Sequence, residues 1–202
     1  LLALLLPALP GSGKSTLTAA LSSRGWRLLS DEFGVFDPND GALHALVKPV
    51  GLKNHSIDVI RSFAPQAVMG PSFPKTRKGT VAHLAPPADA VARRHEPARP
   101  GAVILPKWQE GAATRLEPVE PRMLFPALAF NAFNYGVLGA AGFDAAVSLT
   151  NACPAWHLLY SDLDSALDAL DALWPQVRRH HGQAIPAAGA AVGPPETGVG
   201  AA

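Results

Sequence analysis

The sequence is short of charge and of cysteine. Charged residues make up 16% of the 202 residues and the net charge is +1, so the chain lacks the basic excess of a general nucleic-acid binder or a polybasic membrane anchor. The one cysteine, Cys153, cannot form a disulfide within the chain, and we expect it to be a small buried residue. These features predict a cytoplasmic protein that binds neither nucleic acid nor membranes.

The apolar N-terminal segment LLALLLPALP lacks the features of a targeting signal. It has no initiator Met and no positive residues before the apolar run, and it is too short to span a bilayer. Because it leads directly into GSGKST, it fits the central parallel strand of a nucleotide-binding sheet. The absent Met favours a chain that is truncated at its N-terminus.

Helical and strand patterns alternate along the chain, which predicts one α/β domain over residues 1–181. The Ala/Gly/Pro-rich tail, residues 182–202, is expected to be disordered. The first predicted elements are a helix at 15–25, a strand at WRLLSDE (26–32), a hairpin turning at DPNDG and a helix at 56–65 capped by Ser56. Further strands are predicted at KGTVAHL, AVILPKW and AWHLLY, and a last helix with a Ser-x-x-Asp cap in SDLDSALDALDAL. The helical region PRMLFPALAFNAFNYGVLG is predicted to be buried, with Phe130, Phe133 and Tyr135 as core.

The segment GSGKST has the composition of a phosphate-binding loop. Gly11 and Gly13 allow backbone N–H groups to turn inward around an anion, and the following helix adds the dipole of its N-terminus. Lys14 can reach the terminal phosphates, and the Ser15 hydroxyl can bind Mg²⁺. We therefore predict nucleotide binding by the loop residues Gly11, Ser12, Gly13, Lys14, Ser15 and Thr16.

Two acids, Asp31 and Glu32, follow the predicted strand WRLLS. The carboxyl end of a parallel strand opens beside the phosphate loop, where ligands bind. There Asp31 can accept the proton of an attacking hydroxyl, and Glu32 can support Mg²⁺. The alternative is that the two acids only cap the turn before FGVFDPND.

The stretch GSGKST…RGWRLLSDE resembles the catalytic domain of HPr kinase/phosphorylase, and more closely the HPr-kinase-related kinase A family. In HPr kinase a loop G-x-S-G-x-G-K-S is followed by a helix, Arg-Gly, a short strand and Asp-Asp. The chain matches this order with Arg24-Gly25 and with Asp31, whereas Ala8 and Pro10 depart from the loop pattern and Glu32 replaces the second Asp. The similarity to kinase A continues through LKNHSIDVIR, FPKTRKGTVAHL, GAATRLEPV, AFNAFNY and YSDLD, to about residue 170.

The resemblance implies a P-loop kinase domain of the HPr kinase C-terminal and phosphoenolpyruvate carboxykinase-like type, which uses ATP and Mg²⁺. It implies that Asp31 acts as base on a serine of a protein substrate. We therefore expect transfer of the γ-phosphoryl group to a hydroxyl acceptor, with a protein serine preferred. The alternatives are a small-molecule kinase and a nucleotide-binding regulatory module without transfer activity.

A second cluster of candidate residues is the basic segment FPKTRKGT, with Lys75, Arg77 and Lys78. A cation on a mobile loop can neutralise a transferring phosphoryl group, in trans if the chain forms a homo-oligomer. Arg77 is the preferred member because its planar guanidinium matches a phosphate, and we predict it as a catalytic residue. The alternative is a solvated basic loop. Lys53 and Asn54 could reach phosphate or Mg²⁺, or could merely turn the chain.

Overall fold

A computed structural model describes residues 1–183, which form a four-stranded sheet with helices on both faces and two smaller sheets beside it. In chain order the elements are β1 (Leu2–Leu5), α1 (Lys14–Ser23), β2 (Val35–Asp37), β3 (Ala42–His44), β4 (Val50–Lys53), α2 (His55–Phe63), β5 (Phe73–Thr76), β6 (Gly79–Leu84), α3 (Ala88–Ala92), β7 (Arg99–Trp108), β8 (Arg115–Pro118), α4 (Pro121–Asn131), α5 (Tyr135–Leu138), α6 (Ala140–Ala152), β9 (Ala155–Tyr160) and α7 (Leu163–Gln183).

The main sheet has the strand order β1-β7-β9-β8. Strands β1, β7 and β9 are parallel, and β8 is antiparallel to β9. Parallel neighbours need crossover connections, and helices supply them, as in other α/β proteins. The predicted α/β class with a parallel sheet is therefore confirmed. The carboxyl ends of β7 and β9 lie side by side, with Trp108 paired to Tyr160.

The two faces of the main sheet carry different layers of the core. In β7, Ala102 and Ile104 belong to the large buried cluster that contains residues of α1, α2 and α7. The intervening residue, Val103, belongs to a second cluster with Leu124 and Leu128 of α4. Successive side chains of a strand point to opposite faces, so the unbroken apolar run of β7 is covered on both sides.

The two smaller sheets are formed by the part of the chain between α1 and β7. Strands β4, β6 and β5 form an antiparallel sheet in that spatial order, and β2 and β3 form the hairpin predicted around DPNDG. Gly41 in the turn of that hairpin has a φ of 68°, which glycine adopts without steric cost. Two hydrogen bonds between Leu43 and Ala98, 2.7 and 2.9 Å long, attach the hairpin to the start of β7.

The strand predicted at residues 26–32 was wrong, and so was the central position predicted for β1. Within residues 1–183, no strand pairs with β1 on the side away from β7, so β1 is an edge strand. The carbonyl of Leu29 accepts a hydrogen bond from the Leu46 N–H at 2.9 Å, but no strand ladder forms along residues 26–30.

Side-chain anchors explain why this segment does not join the sheet. Trp26 packs edge-on against Trp174 of α7, with ring centroids 4.7 Å apart. Arg27 donates hydrogen bonds to the carbonyls of Arg93 at 2.9 Å and Glu96 at 3.0 Å, just after α3. These contacts tie the segment to helices and their flanking turns, while Leu29 packs in one cluster with Ala3 and Leu5 of β1.

The N-terminal caps predicted for α2 and α7 were both wrong, because other residues precede these helices. The Ser56 hydroxyl lies inside the first turn of α2, where it accepts from the Lys53 N–H at 2.8 Å and donates to the Lys53 carbonyl at 2.7 Å. At α7 the cap is Asp162 rather than Ser161, because the Asp162 carboxylate accepts from the Ser165 N–H at 2.8 Å.

The apolar helical region was predicted as core, and this was wrong for much of it, including Val137 at 88% exposed and Met123 at 60% exposed. Phe130 is 75% exposed and Phe133 is 80% exposed, while Tyr135 is half-buried.

Helix α7 continues through Gly182 and Gln183, and the rest of the tail predicted as disordered lies outside the described residues. In the part of the chain that is described, no helix combines the length and apolarity needed to cross a membrane.

Candidate phosphate-binding site

The loop between β1 and α1 has the backbone that its glycines predict. Strand β1 ends at Leu5, and α1 begins at Lys14. Gly11 and Gly13 both have a φ of 87°, a value that residues with a Cβ rarely adopt. The loop thus delivers the chain from the carboxyl end of a parallel strand to the N-terminus of a helix, the geometry that binds phosphate.

The ends of β7 and β9 hold this loop from behind. The Trp108 N–H donates to the Ser12 carbonyl at 2.9 Å, and the Tyr160 hydroxyl donates to the Gly13 carbonyl at 3.1 Å. A Cβ at Gly13 would collide with the Tyr160 hydroxyl and would lie 2.9 Å from the Cβ of Trp108. Gly13 is therefore required both by its φ and by the close approach of these two residues.

Trp108 and Tyr160 are tied to each other's strand ends. The Gln109 N–H donates to the Tyr160 carbonyl at 2.8 Å, and the Trp108 indole N–H donates to the Ser161 carbonyl at 3.2 Å. The Tyr160 hydroxyl is protonated at neutral pH and can donate a hydrogen bond, and burial raises its pKa further above the usual range. Sequence reasoning did not assign these residues to the site. Their position at the last residue of two predicted parallel strands was the available signal.

Asp31 lies beside the start of α1. Burial raises the pKa of its carboxyl group above the usual range, and this effect outweighs the Ser15 hydroxyl, the Lys14 charge and the Gly51 backbone N–H, which all favour the ionised form. The structure thus brings together Lys14, Ser15 and Asp31, three residues that the sequence predicted as parts of one site.

Two buried oxygen atoms at this site have no hydrogen-bond partner among the described residues, namely Ser12 Oγ and Asp31 Oδ1. Buried polar atoms are nearly always paired, because leaving one unpaired costs about 1–3 kcal/mol. A hydroxyl can donate to a phosphate oxygen, and a carboxylate oxygen can accept a proton or bind a cation. Both atoms therefore fit a site that takes a nucleotide with its Mg²⁺.

Glu32 and Arg77 lie in different surroundings from Asp31. Glu32 is exposed, and its backbone N–H donates to the Ser30 hydroxyl at 3.2 Å. Arg77 is exposed in the turn between β5 and β6, and among residues 1–183 its side chain makes no hydrogen bond or ion pair. The structure neither adds a contact that supports their predicted roles nor supplies another role for them.

Asn54 has a structural role. It precedes α2 with a φ of 50°, its side-chain oxygen accepts from the Thr80 N–H at 3.0 Å, and its own N–H donates to the Thr80 carbonyl at 2.8 Å. These bonds join the end of β4 to the start of β6. Lys53 is exposed beside it.

Arg24, which is one of the residues matched by the family resemblance, joins two helices at the end of α1 opposite the loop. It follows the last turn of α1 and forms ion pairs with Asp164 and Asp168 of α7. These acids raise the pKa of Arg24, and its guanidinium also lies 5.9 Å from the centre of the Phe63 ring. The arginine therefore contributes to the packing of α7 on α1.

A large groove opens onto Lys14 and Asp31. Its volume is about 1190 Å³, and it runs between β1, the segment 26–36 and the region from Leu128 to Leu149.

Cys153 lies elsewhere, buried as predicted, and burial raises the pKa of its thiol to about 12. Burial and a raised pKa are typical of a structural cysteine.

Comparisons with known protein families, with curated proteins and with solved structures give no match. The function of the chain is therefore inferred from the geometry of this site. The residues that matter most are Lys14, Ser15 and Asp31 on a loop supported by Trp108 and Tyr160.

Proposed function

We propose that the chain is an ATP- and Mg²⁺-dependent kinase that transfers the γ-phosphoryl group to a hydroxyl acceptor, with a protein serine preferred. One observation carries the proposal: the half-buried Asp31 carboxyl lies where the Lys14 charge and the Ser15 hydroxyl act on it, at the mouth of a phosphate loop. A cation, a metal-binding hydroxyl and a carboxylate at one helix N-terminus are the groups that phosphoryl transfer requires.

The loop residues 11–16 would hold the phosphates. Backbone N–H groups and the dipole of α1 favour an anion there, and Lys14 neutralises charge on the terminal phosphates. Ser15 and Glu32 are the residues that would hold Mg²⁺, which when bound supplies further charge neutralisation at the phosphate oxygens. The hydrogen bonds from Trp108 and Tyr160 hold the loop in one shape before the nucleotide binds, so less order has to be gained on binding.

Asp31 is assigned the role of base. Its carboxylate accepts the proton of the acceptor hydroxyl, whose oxygen forms a bond to the γ-phosphorus, while the bond from that phosphorus to the β–γ bridging oxygen breaks and ADP leaves. Partial burial raises the pKa of Asp31, which makes its carboxylate a better proton acceptor. Arg77 remains a predicted clamp on the transferring group, delivered in trans if the chain forms a homo-oligomer.

The proposal is tested by incubating the purified wild type and the Asp31→Asn variant with γ-labelled ATP, Mg²⁺ and lysate of the source cell. A labelled protein band with the wild type alone is the expected result. Label in small molecules alone would favour a small-molecule kinase. Equal transfer by the Asp31→Asn variant would rule out Asp31 as base.

Nucleotide binding is tested separately with Lys14→Ala, because the loop assignment does not depend on the acceptor. The variant should lose tight ATP binding in a calorimetric titration with Mg²⁺. Unchanged affinity would overturn the loop assignment. Tight binding by the wild type without transfer to any acceptor would favour a regulatory module.

A further inference from the structure

The free edge of β1 is the starting observation. Strand β1 has β7 as its one neighbour among the described residues, and none of its backbone groups bonds to the segment 26–36. An unpaired strand edge presents a row of N–H and C=O groups that can pair with another extended chain. Proteins usually cover such an edge, and here the groove runs along it.

The groove fits a strand in its position and lining. It borders β1 along its whole length, and Lys14 and Asp31 are among its lining residues. On one face of the sheet it is lined by Leu28 and Trp174, and on the other by Leu149. A strand placed there would be covered on both faces, and strands of that kind are apolar at successive positions.

Two aromatic rings meet across this groove next to Asp31. Phe33 follows the Asp31-Glu32 pair, and Phe133 projects from the connection between α4 and α5. Their ring centroids are 5.3 Å apart, although Phe33 is 38% exposed and Phe133 is 80% exposed. Exposed aromatic residues beside a groove are the kind of contact that binds a protein partner.

The size of the groove suits a short extended segment of chain. Its volume of about 1190 Å³ exceeds the usual range of roughly 300–1,000 Å³ for small-ligand pockets. The four residues of β1 extend over about 13 Å, at about 3.3 Å a residue. An extended peptide of four to six residues has this length and, unlike a small metabolite, carries backbone groups that can pair with the strand edge.

We propose that the groove binds an extended, apolar segment of the acceptor protein, which pairs with the edge of β1 as an additional strand and presents its hydroxyl residue to Asp31. The assignment of this segment as acceptor rests on the proposed kinase function. The strand pairing does not, because it follows from the open edge and from the lining of the groove.

The test uses fluorescein-labelled serine peptides as probes. One library places a run of five Val, Ile or Leu residues next to the serine, and the matched library replaces the run with Gln, Asn or Thr. Fluorescence anisotropy with the full chain should show binding of apolar members at least tenfold tighter than that of polar members. Equal binding of the two libraries, or no binding of either, would overturn the inference.

A backbone scan distinguishes strand pairing from nonspecific hydrophobic contact. Single N-methyl groups are placed along the best peptide, since each one removes a backbone donor. Methylation should weaken binding roughly tenfold at alternate residues and little at those between, because only every second N–H faces β1. A loss that is uniform along the peptide, or absent, would contradict pairing with β1.

Matched variants locate the peptide on the chain. Phe133→Asp should weaken peptide binding at least tenfold, whereas Phe130→Asp, three residues earlier, 75% exposed and outside the groove lining, should leave it unchanged. Equal effects of the two variants would overturn the placement. Both replace exposed side chains, so the fold should be retained, as circular dichroism would check.

Failure of this inference and failure of the kinase proposal give different results. If ATP binds and no peptide does, the groove assignment is wrong and the kinase proposal stands. If apolar peptides bind with the alternating N-methyl pattern and ATP does not, the strand pairing stands and the kinase proposal is wrong. If the β1 amides that face away from β7 already exchange slowly without peptide, the edge is closed by the chain itself and the inference is overturned.

Discussion

At the scale of single residues, Gly11 and Gly13 have the same φ of 87° but different surroundings. A Cβ at Gly11 would meet nothing within 4 Å, whereas at Gly13 it would collide with Tyr160. Gly11→Ala should therefore destabilise the fold by about 1–2 kcal/mol from the left-handed backbone alone. Gly13→Ala should cost a further 1–3 kcal/mol or so from overpacking.

Urea unfolding of the two alanine variants and the wild type measures this difference. Because the backbone conformations are alike, Gly11→Ala serves as the control for strain. Equal losses in the two variants would mean that the strand ends carrying Tyr160 and Trp108 do not press on the loop.

Asp31 gives a prediction on the pH dependence of stability. Burial raises its pKa in the folded chain, so the folded state keeps a proton that the unfolded chain releases near pH 4, about the ordinary pKa of an aspartate. The wild type therefore loses stability as pH rises from about 4 through the folded-state pKa. Asp31→Asn should unfold at a higher temperature than the wild type at pH 7, and the difference should shrink below about pH 4.

Thermal unfolding at pH 7 and pH 3.5 measures this effect without any ligand. Glu32→Gln is the matched control, because Glu32 is exposed and its replacement should change the unfolding temperature little. A lower unfolding temperature for Asp31→Asn at pH 7 would show that the carboxylate stabilises the fold and is not held there at a cost.

These residues also show how far sequence reasoning reached at the site. Lys14 and Ser15 were predicted because the loop motif is local in the chain. Asp31 was predicted from the end of a strand that does not form, although the carboxyl still lies beside Lys14 and Ser15. Tyr160 and Trp108 were missed because their contacts with Gly13 depend on a sheet order that no local pattern encodes.

At the scale of elements, the order of strands and helices was largely predictable and the pairing of strands was not. Apolar periodicity correctly predicted six of the elements, namely β1, α1, β6, β7, β9 and α7. The segment 26–32 has the composition of a strand, but Trp26 and Arg27 are tied to the region of α7 and α3 by side-chain contacts. Those contacts join residues far apart in the chain, so periodicity could not reveal them.

The joint between β4 and β6 gives a prediction at this scale. Asn54→Ala removes the side-chain acceptor of the Thr80 N–H, at a φ of 50° that asparagine tolerates better than alanine. We expect a loss of about 1–2 kcal/mol in the free energy of unfolding. Affinity for ATP should be unchanged, because Asn54 joins strands and does not bind phosphate.

Chemical denaturation and calorimetric ATP titration of the same Asn54→Ala preparation separate the two properties. Lys53→Ala, an exposed neighbour, is the control for the loss of a side chain at this turn. Weakened ATP binding at full stability would assign Asn54 to the nucleotide site instead.

At the scale of the whole molecule, helices cover both faces of a mostly parallel sheet, and the predicted phosphate loop lies at the carboxyl ends of its parallel strands. This is the place where ligands bind in open α/β sheets. The alternation of helical and strand patterns predicted the α/β class, whereas the open edge of β1 and the groove beside it emerge from the complete packing.

The most direct measurement of the central claim is the unfolding temperature of the wild type and of Lys14→Ala with and without ATP and Mg²⁺. A ligand at 100 times its Kd stabilises the folded chain by about 2.7 kcal/mol, which corresponds to roughly 5–11 °C for a chain of this size. We expect that rise in the wild type and none in Lys14→Ala. No rise in the wild type, or an equal rise in Lys14→Ala, would contradict nucleotide binding at this loop.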